Sequence, residues 1–469
     1  MPMKKNREQL TTESKRISNI REGQRTFFRS GATAGINFRR RMLKSLLEHI
    51  KREETALLEA LAADLGKSPE EAYSNEIGFL YSEIRYLLKH LKKWMKGKQF
   101  LPDMFLLPGI ARIEKEPYGS VLIISPWNYP FQLLFTPLVE ALAAGNCAVV
   151  KPSEIASRTA QVSQRIIEAA FDPEYAAVVQ GGAEVSMELI DQDFDYLFFT
   201  GSVPVGKKIM EAASRHLTPL TLELGGKSPA FIDASADIPR AARKIAFGKF
   251  NNAGQTCVAP DYLLVDQRIE QELLQELQKA ILEFYGDDPI KSGQYGRIIS
   301  ERHFDRLVSL LDGASVYSGG SVEKSQRYIE PSLLSPVGWS DPVMQEEIFG
   351  PLLPIISYEN LEQAIEQVQT LPKPLALYVF ARDSVIVKKI SGSITFGGGG
   401  VNTVLLHVAS HKIPFGGVGP SGMGNYHGKA GFNTFSHTKG MLQQCASFDP
   451  GFAYPHKVPD LGKLKRFIR

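Results

Sequence analysis

The sequence predicts an α/β protein in which a Rossmann-like, mostly parallel sheet is followed by a second α/β domain. Three observations carry that prediction. Short, continuously apolar runs at 119–125, 147–150 and 195–199 have the length and saturation of strands buried on both faces of a parallel sheet. Helical-period stretches alternate with them, and repeated β-α order is what builds such sheets. The runs also end in clusters of Pro, Asn, Lys, Glu and Gly, at the carboxyl edge where open α/β sheets place their sites. With 469 residues, 43% of them apolar, the chain is long enough for two or three domains of about 150 residues each.

Along the chain, apolar residues recur at helical spacing from 38 to 65, with Gly66 where a C-cap belongs, and again from 74 to 96, ended by Gly97. Both helices read as scaffold. Pro102, Pro108 and Gly109 interrupt the 100–117 segment, which predicts extended, hairpin-like structure outside the main sheet. The 119–125 strand runs into Pro126-Trp127-Asn128-Tyr129-Pro130, where two prolines stiffen a turn that offers the Asn128 side-chain amide. A helix over 133–144 leads to the 147–150 strand and then to Lys151-Pro152-Ser153-Glu154. That cation and carboxylate suit phosphate or ribose hydroxyls, or Ser153 simply caps the next helix.

Strands at 176–179 and 195–199 continue the series. The second enters Thr200-Gly201-Ser202-Val203-Pro204-Val205-Gly206 and a helix over 207–217, whose first amides could meet a pyrophosphate, although the glycine spacing is not GxGxxG. Glu223 follows, embedded among leucines. An acid in apolar surroundings has a raised pKa and suits a general base near neutrality, the alternative being an ion pair with Lys227. The domain boundary is expected near Glu223.

A helix over 238–251 delivers Cys257 in a small, turn-prone stretch, and a new α/β series begins at 262–265. A free thiol is only slightly ionised at neutral pH, so a nucleophilic Cys257 needs neighbours that take its proton; otherwise it is a small buried hydrophobe. Further loops stand at 345–351, 391–402 and 413–424, the second rich enough in glycine for close backbone approach or a hinge. A strand is expected over 373–381. The tail from Cys445, with its basic end at Lys463, Lys465, Arg466 and Arg469, reads as a surface tail rather than a membrane-binding patch.

Composition narrows the functional class. The 54 basic and 51 acidic residues are too balanced for a nucleic-acid footprint. Cys147, Cys257 and Cys445 form neither a disulfide framework nor a CxxC metal site, so a reducing, cytoplasmic setting and no metal are expected. The first residues lack the apolar core of a secretory signal, and the greasiest stretch, 133–150, is too interrupted to span a membrane.

Seven motifs in order, PWNYP (126–130), KPSE (151–154), FTGSVPVG (199–206), ELGGKSP (223–229), GQTCVAPDY (254–262), EEIFGP (346–351) and PFGGVGPSGMG (414–424), resemble the aldehyde dehydrogenase superfamily over about residues 20–440, and their form looks like its class 3 branch. Thr403 and Gly400 depart from that branch. The resemblance implies an aldehyde dehydrogenase-like fold: an NAD-binding domain (1–99 and 118–223), a catalytic domain (224–392), a bridging β extension (100–117 and 393–440) that pairs two subunits, and a tail (441–469). It implies Cys257 as nucleophile, Asn128 as oxyanion-holding amide and Glu223 as base. Around the cofactor it places Trp127, Lys151, Glu154, Thr200, Gly201, Ser202, Gly206, Glu347 and Phe349, with Lys151 and Glu154 on the adenosine ribose, Ser202 on the pyrophosphate and Glu347 on the nicotinamide ribose. Tyr129 and Phe415 would line the substrate entrance.

The expected activity is oxidation of medium- or long-chain aliphatic or aromatic aldehydes with NAD, NADP being tolerated, in a homodimer. Rivals are an acylating, coenzyme A-dependent enzyme, which Glu223 argues against, and a non-catalytic NAD-binding scaffold, which would lack the nucleophile or the base. A cysteine hydrolase would need a histidine base, for which no motif stands out.

Overall fold

Five parallel strands form the first sheet, in the spatial order Leu220–Glu223, Tyr196–Thr200, Ser120–Ile124, Cys147–Lys151, Ala176–Val178, with Gly422–Met423 added antiparallel beside the first of these. In chain order this is the Rossmann arrangement, and the order reverses between Ser120–Ile124 and Tyr196–Thr200. A crevice opens at that switch point, beyond the carboxyl ends of the two strands. Alternate residues serve opposite faces: Val121, Ile123, Tyr196 and Phe198 join the large core, while Leu122, Ile124, Leu197 and Phe199 join a smaller one under the Val203–Ser214 helix. Burial on both faces explains why these strands read as unbroken apolar runs.

The chain crosses to a second sheet between Glu223 and Pro229. Its seven strands lie in the order Val316–Ser318, Ser332–Leu334, Leu352–Tyr358, Tyr262–Asp266, Pro229–Ile232, Ala376–Phe380, Gly398–Val401, all parallel except the first. A third, antiparallel sheet joins Lys98–Phe100, Gly109–Pro117 and Ser436–Gln444. The protein, in this computed structural model, is described over residues 2–449, 451, 454–457 and 460–467; Arg469 lies outside them.

Several elements differ from the sequence expectation. The helix expected over 38–65 is two, Ile36–Arg52 and Glu54–Leu65, broken at Glu53, though Gly66 does cap the second in the left-handed region at φ 67°. The helix expected over 74–96 starts with a π-helical turn, Tyr73–Ile77, before Gly78–Met95. Gly398–Val401, in the stretch expected as a hinge or a close approach, is an edge strand of the second sheet, and the close approach is there: a Cβ at Gly399 would lie 2.1 Å from the Leu377 carbonyl oxygen. The last strand runs to Gln444, into the stretch expected to be tail. Among the described residues no helix is long and apolar enough to cross a membrane, and no metal-binding cluster occurs.

Candidate active site

Cys257 is half-buried and lies just after the Asn251–Gly254 turn at the end of the Ile238–Phe250 helix. Asn252, Ala253 and Gly254 have φ of 52°, 50° and 75° in succession. Left-handed backbone at non-glycine residues is costly, and such strain collects at functional sites because the surrounding contacts must hold it. Here the contacts are explicit. Asn252 donates from Nδ2 to the Asn128 carbonyl (2.8 Å) and the Gln255 carbonyl (3.1 Å), and Gln255 bonds the backbone of Asn252, Arg297 and Ile299 at 3.0 Å each.

Two cavities meet at the thiol. One, of about 440 Å³, opens at the switch-point crevice and is lined by Trp127, Asn128, Thr200, Gly201, Ser202, Glu223, Cys257, Glu347 and Phe349, with His303 and Arg306 opposite. The other, of about 160 Å³, is lined by Phe79, Tyr129, Phe247, Val258, Leu405, Val408, Phe415, Tyr426 and His427. Leu133 and Cys257 line both. The first carries the carboxylates Glu223, Glu346 and Glu347; the second is mainly apolar and aromatic.

Burial, followed by the charges of Glu347 and Glu223, pushes the Cys257 thiol up to about 12. It is therefore protonated at rest, and attack by this sulfur would need a base to take the proton. The backbone amides of Cys257 and Val258 act in the other direction on the sulfur. Asn128 is buried and donates one amide hydrogen to the Gln255 carbonyl at 3.0 Å, which leaves the second available in the cavity.

Glu223 closes its strand and is 2% exposed, and neither carboxylate oxygen has a hydrogen-bond partner. Burial alone drives its pKa well above the ordinary carboxylate range. The alternative pairing with Lys227 does not occur: Lys227 bonds Asp261 and the carbonyls of Val343 and Glu346, each of these two at 2.9 Å. Asp261 in turn accepts from the Ile348 amide at 3.0 Å, and Arg306 bonds Glu346 at 2.9 Å and the Ile348 carbonyl at 2.5 Å. These contacts anchor the loop that carries Glu347. Its carboxylate reaches over Gly225, where a Cβ would lie 2.1 Å from Oε2, so a side chain there would displace the Glu347 carboxylate. Burial first, then the Asp261 charge, pushes Glu347 up to about 8.

The dinucleotide inferred from the sequence fits this crevice. Thr200 Oγ1 is buried there without a partner, and Ser202 stands at the start of the Val203–Ser214 helix without capping it, leaving first-turn amides free for a pyrophosphate. Trp127 meets Phe349 edge-on at 5.3 Å and His303 at 4.7 Å. Lys151 and Glu154 do not line the cavity; they pair with each other at 2.7 Å on the same sheet edge, beside the Ser125 amide that bonds the Lys151 carbonyl. Gly206 is a buried residue of the Val203–Ser214 helix, where a side chain would meet Leu224 at 2.7 Å. His303, Arg306 and Leu133 went unmarked in the sequence because no local pattern sets them apart.

A Rossmann-ordered sheet whose crevice faces a second sheet presenting one thiol, with a buried carboxylate alongside, defines a thiol-dependent dinucleotide oxidoreductase. The model of the Aldehyde dehydrogenase family matches residues 11–441. The chain is 47% identical over 443 residues to 4,4'-diaponeurosporen-aldehyde dehydrogenase of Staphylococcus aureus (94% of this chain, 96% of that protein). It is 44% identical over 453 residues to the dimeric NADP-preferring aldehyde dehydrogenase of Canis lupus familiaris (96% and 99%). A solved structure of Staphylococcus aureus AldH in a substrate-bound state superposes with a TM-score of 0.95 at 46% identity, covering 97% of this chain and 99% of that one. The chain belongs to the aldehyde dehydrogenase family, and its activity is NAD(P)-dependent oxidation of aldehydes.

Proposed function

We propose that Cys257 attacks the aldehyde carbon from the junction of the two cavities, and that this junction is the observation that carries the reading. The thiol proton passes to a carboxylate, the Cys257 sulfur bonds the carbonyl carbon, and the Asn128 amide with the Cys257 backbone amide holds the resulting oxyanion. The bound dinucleotide supplies the hydride acceptor. Glu223, unpaired and basic, then activates the water that hydrolyses the Cys257 thioester to a carboxylic acid. Thr200, Gly201, Ser202, Glu347, Phe349 and Trp127 hold the cofactor in the crevice, and Lys151 with Glu154 reaches its adenosine ribose. Gly206 serves by letting the helix pack close.

The apolar cavity, with Tyr129 and Phe415 in its wall, favours medium- or long-chain aliphatic and aromatic aldehydes. Glu154 repels a 2′-phosphate, so NAD is preferred; NADP is tolerated, a reading helped by the NADP-preferring relative. The chain forms a homodimer and works in the cytoplasm.

NADH formation measured over aldehydes from acetaldehyde to dodecanal, and with benzaldehyde, tests the substrate class; best turnover with acetaldehyde or a charged semialdehyde contradicts it. Turnover that requires coenzyme A would make the enzyme acylating instead.

A further inference from the structure

A buried ion pair sits behind the Asn128 loop. Lys67 lies between Gly66, the cap of the Glu54–Leu65 helix, and Ser68, which caps the next turn, and its side chain and that of Glu76 are wholly buried. An ammonium has three donors, and here each has a partner: Glu76 Oε1 at 2.5 Å, the Asn128 carbonyl at 3.1 Å, and the face of the Tyr129 ring, 4.0 Å from Nζ. The π-helical turn at Tyr73–Ile77 brings Glu76 inward, and its other oxygen accepts from the amides of Phe131 (2.9 Å) and Gln132 (3.2 Å).

The pair thus grips the backbone from 128 to 132 at both ends. The same Asn128 carbonyl takes Asn252 Nδ2, while the Asn252 amide donates to Glu71 Oε1 at 2.8 Å. One carbonyl therefore joins the oxyanion-holding loop to the nucleophile loop, and Lys67 fixes it. Buried ion pairs are poor stabilisers compared with apolar packing of the same volume, which points to a use other than stability.

We propose that Lys67 is a positioning residue for the oxyanion hole. Its ammonium sets the Asn128 backbone so that the side-chain amide meets the oxygen of the tetrahedral species on Cys257. As the sulfur–carbon bond forms, the carbonyl π pair moves onto oxygen and the thiol proton goes to a carboxylate; Lys67 exchanges no proton.

This inference rests on the proposed reading of Cys257 and Asn128, and the experiment separates the two. Wild-type protein that forms no NADH with any aldehyde defeats the reading itself. In Lys67→Met/Glu76→Gln, which removes both charges together, aldehyde oxidation and hydrolysis of a p-nitrophenyl ester are expected to fall in parallel, roughly 100-fold, since both pass through an oxyanion. Alkylation of Cys257 by iodoacetamide, which needs no oxyanion hole, and the Kd for NAD are expected to stay at wild-type values. Unchanged oxidation and ester hydrolysis overturn the proposal, as does a folded variant in which alkylation and NAD binding are lost along with turnover. If the double variant fails to fold, Glu76→Gln decides: its amide can offer an acceptor to Phe131 and Gln132 or to Lys67, but not to both. The same selective loss supports the proposal, and wild-type rates overturn it.

Discussion

Glu223 is a carboxyl group walled in by protein with nothing to bond, and stability and catalysis pull on it in opposite directions. Its pKa is raised in the native state, whereas in the unfolded chain it is about 4.3. Above that value the native protein holds a proton the unfolded chain has released, so stability falls as pH rises until the native pKa is passed. Glu223→Gln is therefore expected to raise the thermal midpoint over wild type by an amount that grows from about pH 5 to pH 8, the limit being on the order of 1–3 kcal/mol for a buried unsatisfied group. Equal midpoints across that range would show that Glu223 finds a partner in solution. If turnover needs the ionised form, the acid limb of kcat should lie well above the ordinary carboxylate range and be absent from the burst phase, which precedes hydrolysis.

The proposed mechanism gives Cys257 and Glu223 separable tasks. Cys257→Ala is expected to abolish turnover while leaving the Kd for NAD unchanged by calorimetry, because the crevice residues do not depend on the thiol. Glu223→Gln should show a burst of NADH near one equivalent and then a slow steady state, the mark of an accumulating acyl-enzyme. A rapid-mixing trace without a burst would transfer the first proton abstraction to Glu223, or the base role to Glu347, whose pKa near 8 and effect on the thiol make it the nearest competitor. The residues that read clearly from sequence are those in chemically odd company: a carboxylate among leucines, an amide between prolines, a thiol among small residues. Lys67 and Glu76 did not, because a Lys-Ser-Pro-Glu-Glu stretch looks like solvated surface and the Asn128 carbonyl it serves is 61 residues away.

At the level of elements, the nucleophile loop depends on the loop carrying Glu347 through one close approach. Gly254 has φ of 75°, and a Cβ there would lie 2.2 Å from the Gly350 carbonyl oxygen; Gly286 has φ of 76° with nothing within 4 Å of its Cβ position. Gly286 has ψ of −176°, a region open essentially to glycine alone, so alanine there adds backbone strain without a contact. Gly286→Ala is expected to cost about 1–3 kcal/mol and leave kcat intact, whereas Gly254→Ala should lower kcat as well as stability. Full activity in Gly254→Ala would show that the two loops move apart freely. Elements buried on both faces were legible because burial wrote an apolar run into them. The strand Ser436–Gln444 was not: it is an edge strand almost wholly exposed, and SHTKGMLQQ has neither run nor alternation. Gly398–Val401 has hardly any side chains from which a pattern could arise, and the break at Glu53 spans one residue, too little to disturb a helical period.

For the molecule as a whole, the third sheet poses the clearest physical problem. Its strands Lys98–Phe100, Gly109–Pro117 and Ser436–Gln444 stand outside both cores, and the last has a free edge. Phe100, Leu101, Met104, Met441 and Leu442 are 47%, 74%, 85%, 54% and 43% exposed on this small sheet and its connection. A monomer gains nothing by presenting an open edge and an apolar patch to water, and both are normally covered. A second copy of the chain would cover them with one repeated contact, as closed symmetric assembly requires. Sedimentation is therefore expected to give twice the 52.0 kDa subunit mass. Met441→Glu with Leu442→Glu should weaken association by roughly 30-fold or more, about 2 kcal/mol, if either is an anchor of the contact. The two cavities of the candidate site are lined by residues of a single chain, and the dissociated variant is expected to keep the kcat of each subunit while losing the concentration dependence of its thermal midpoint. A wild-type protein that sediments as a monomer would refute the contact, and a double variant that stays dimeric would move it to another face.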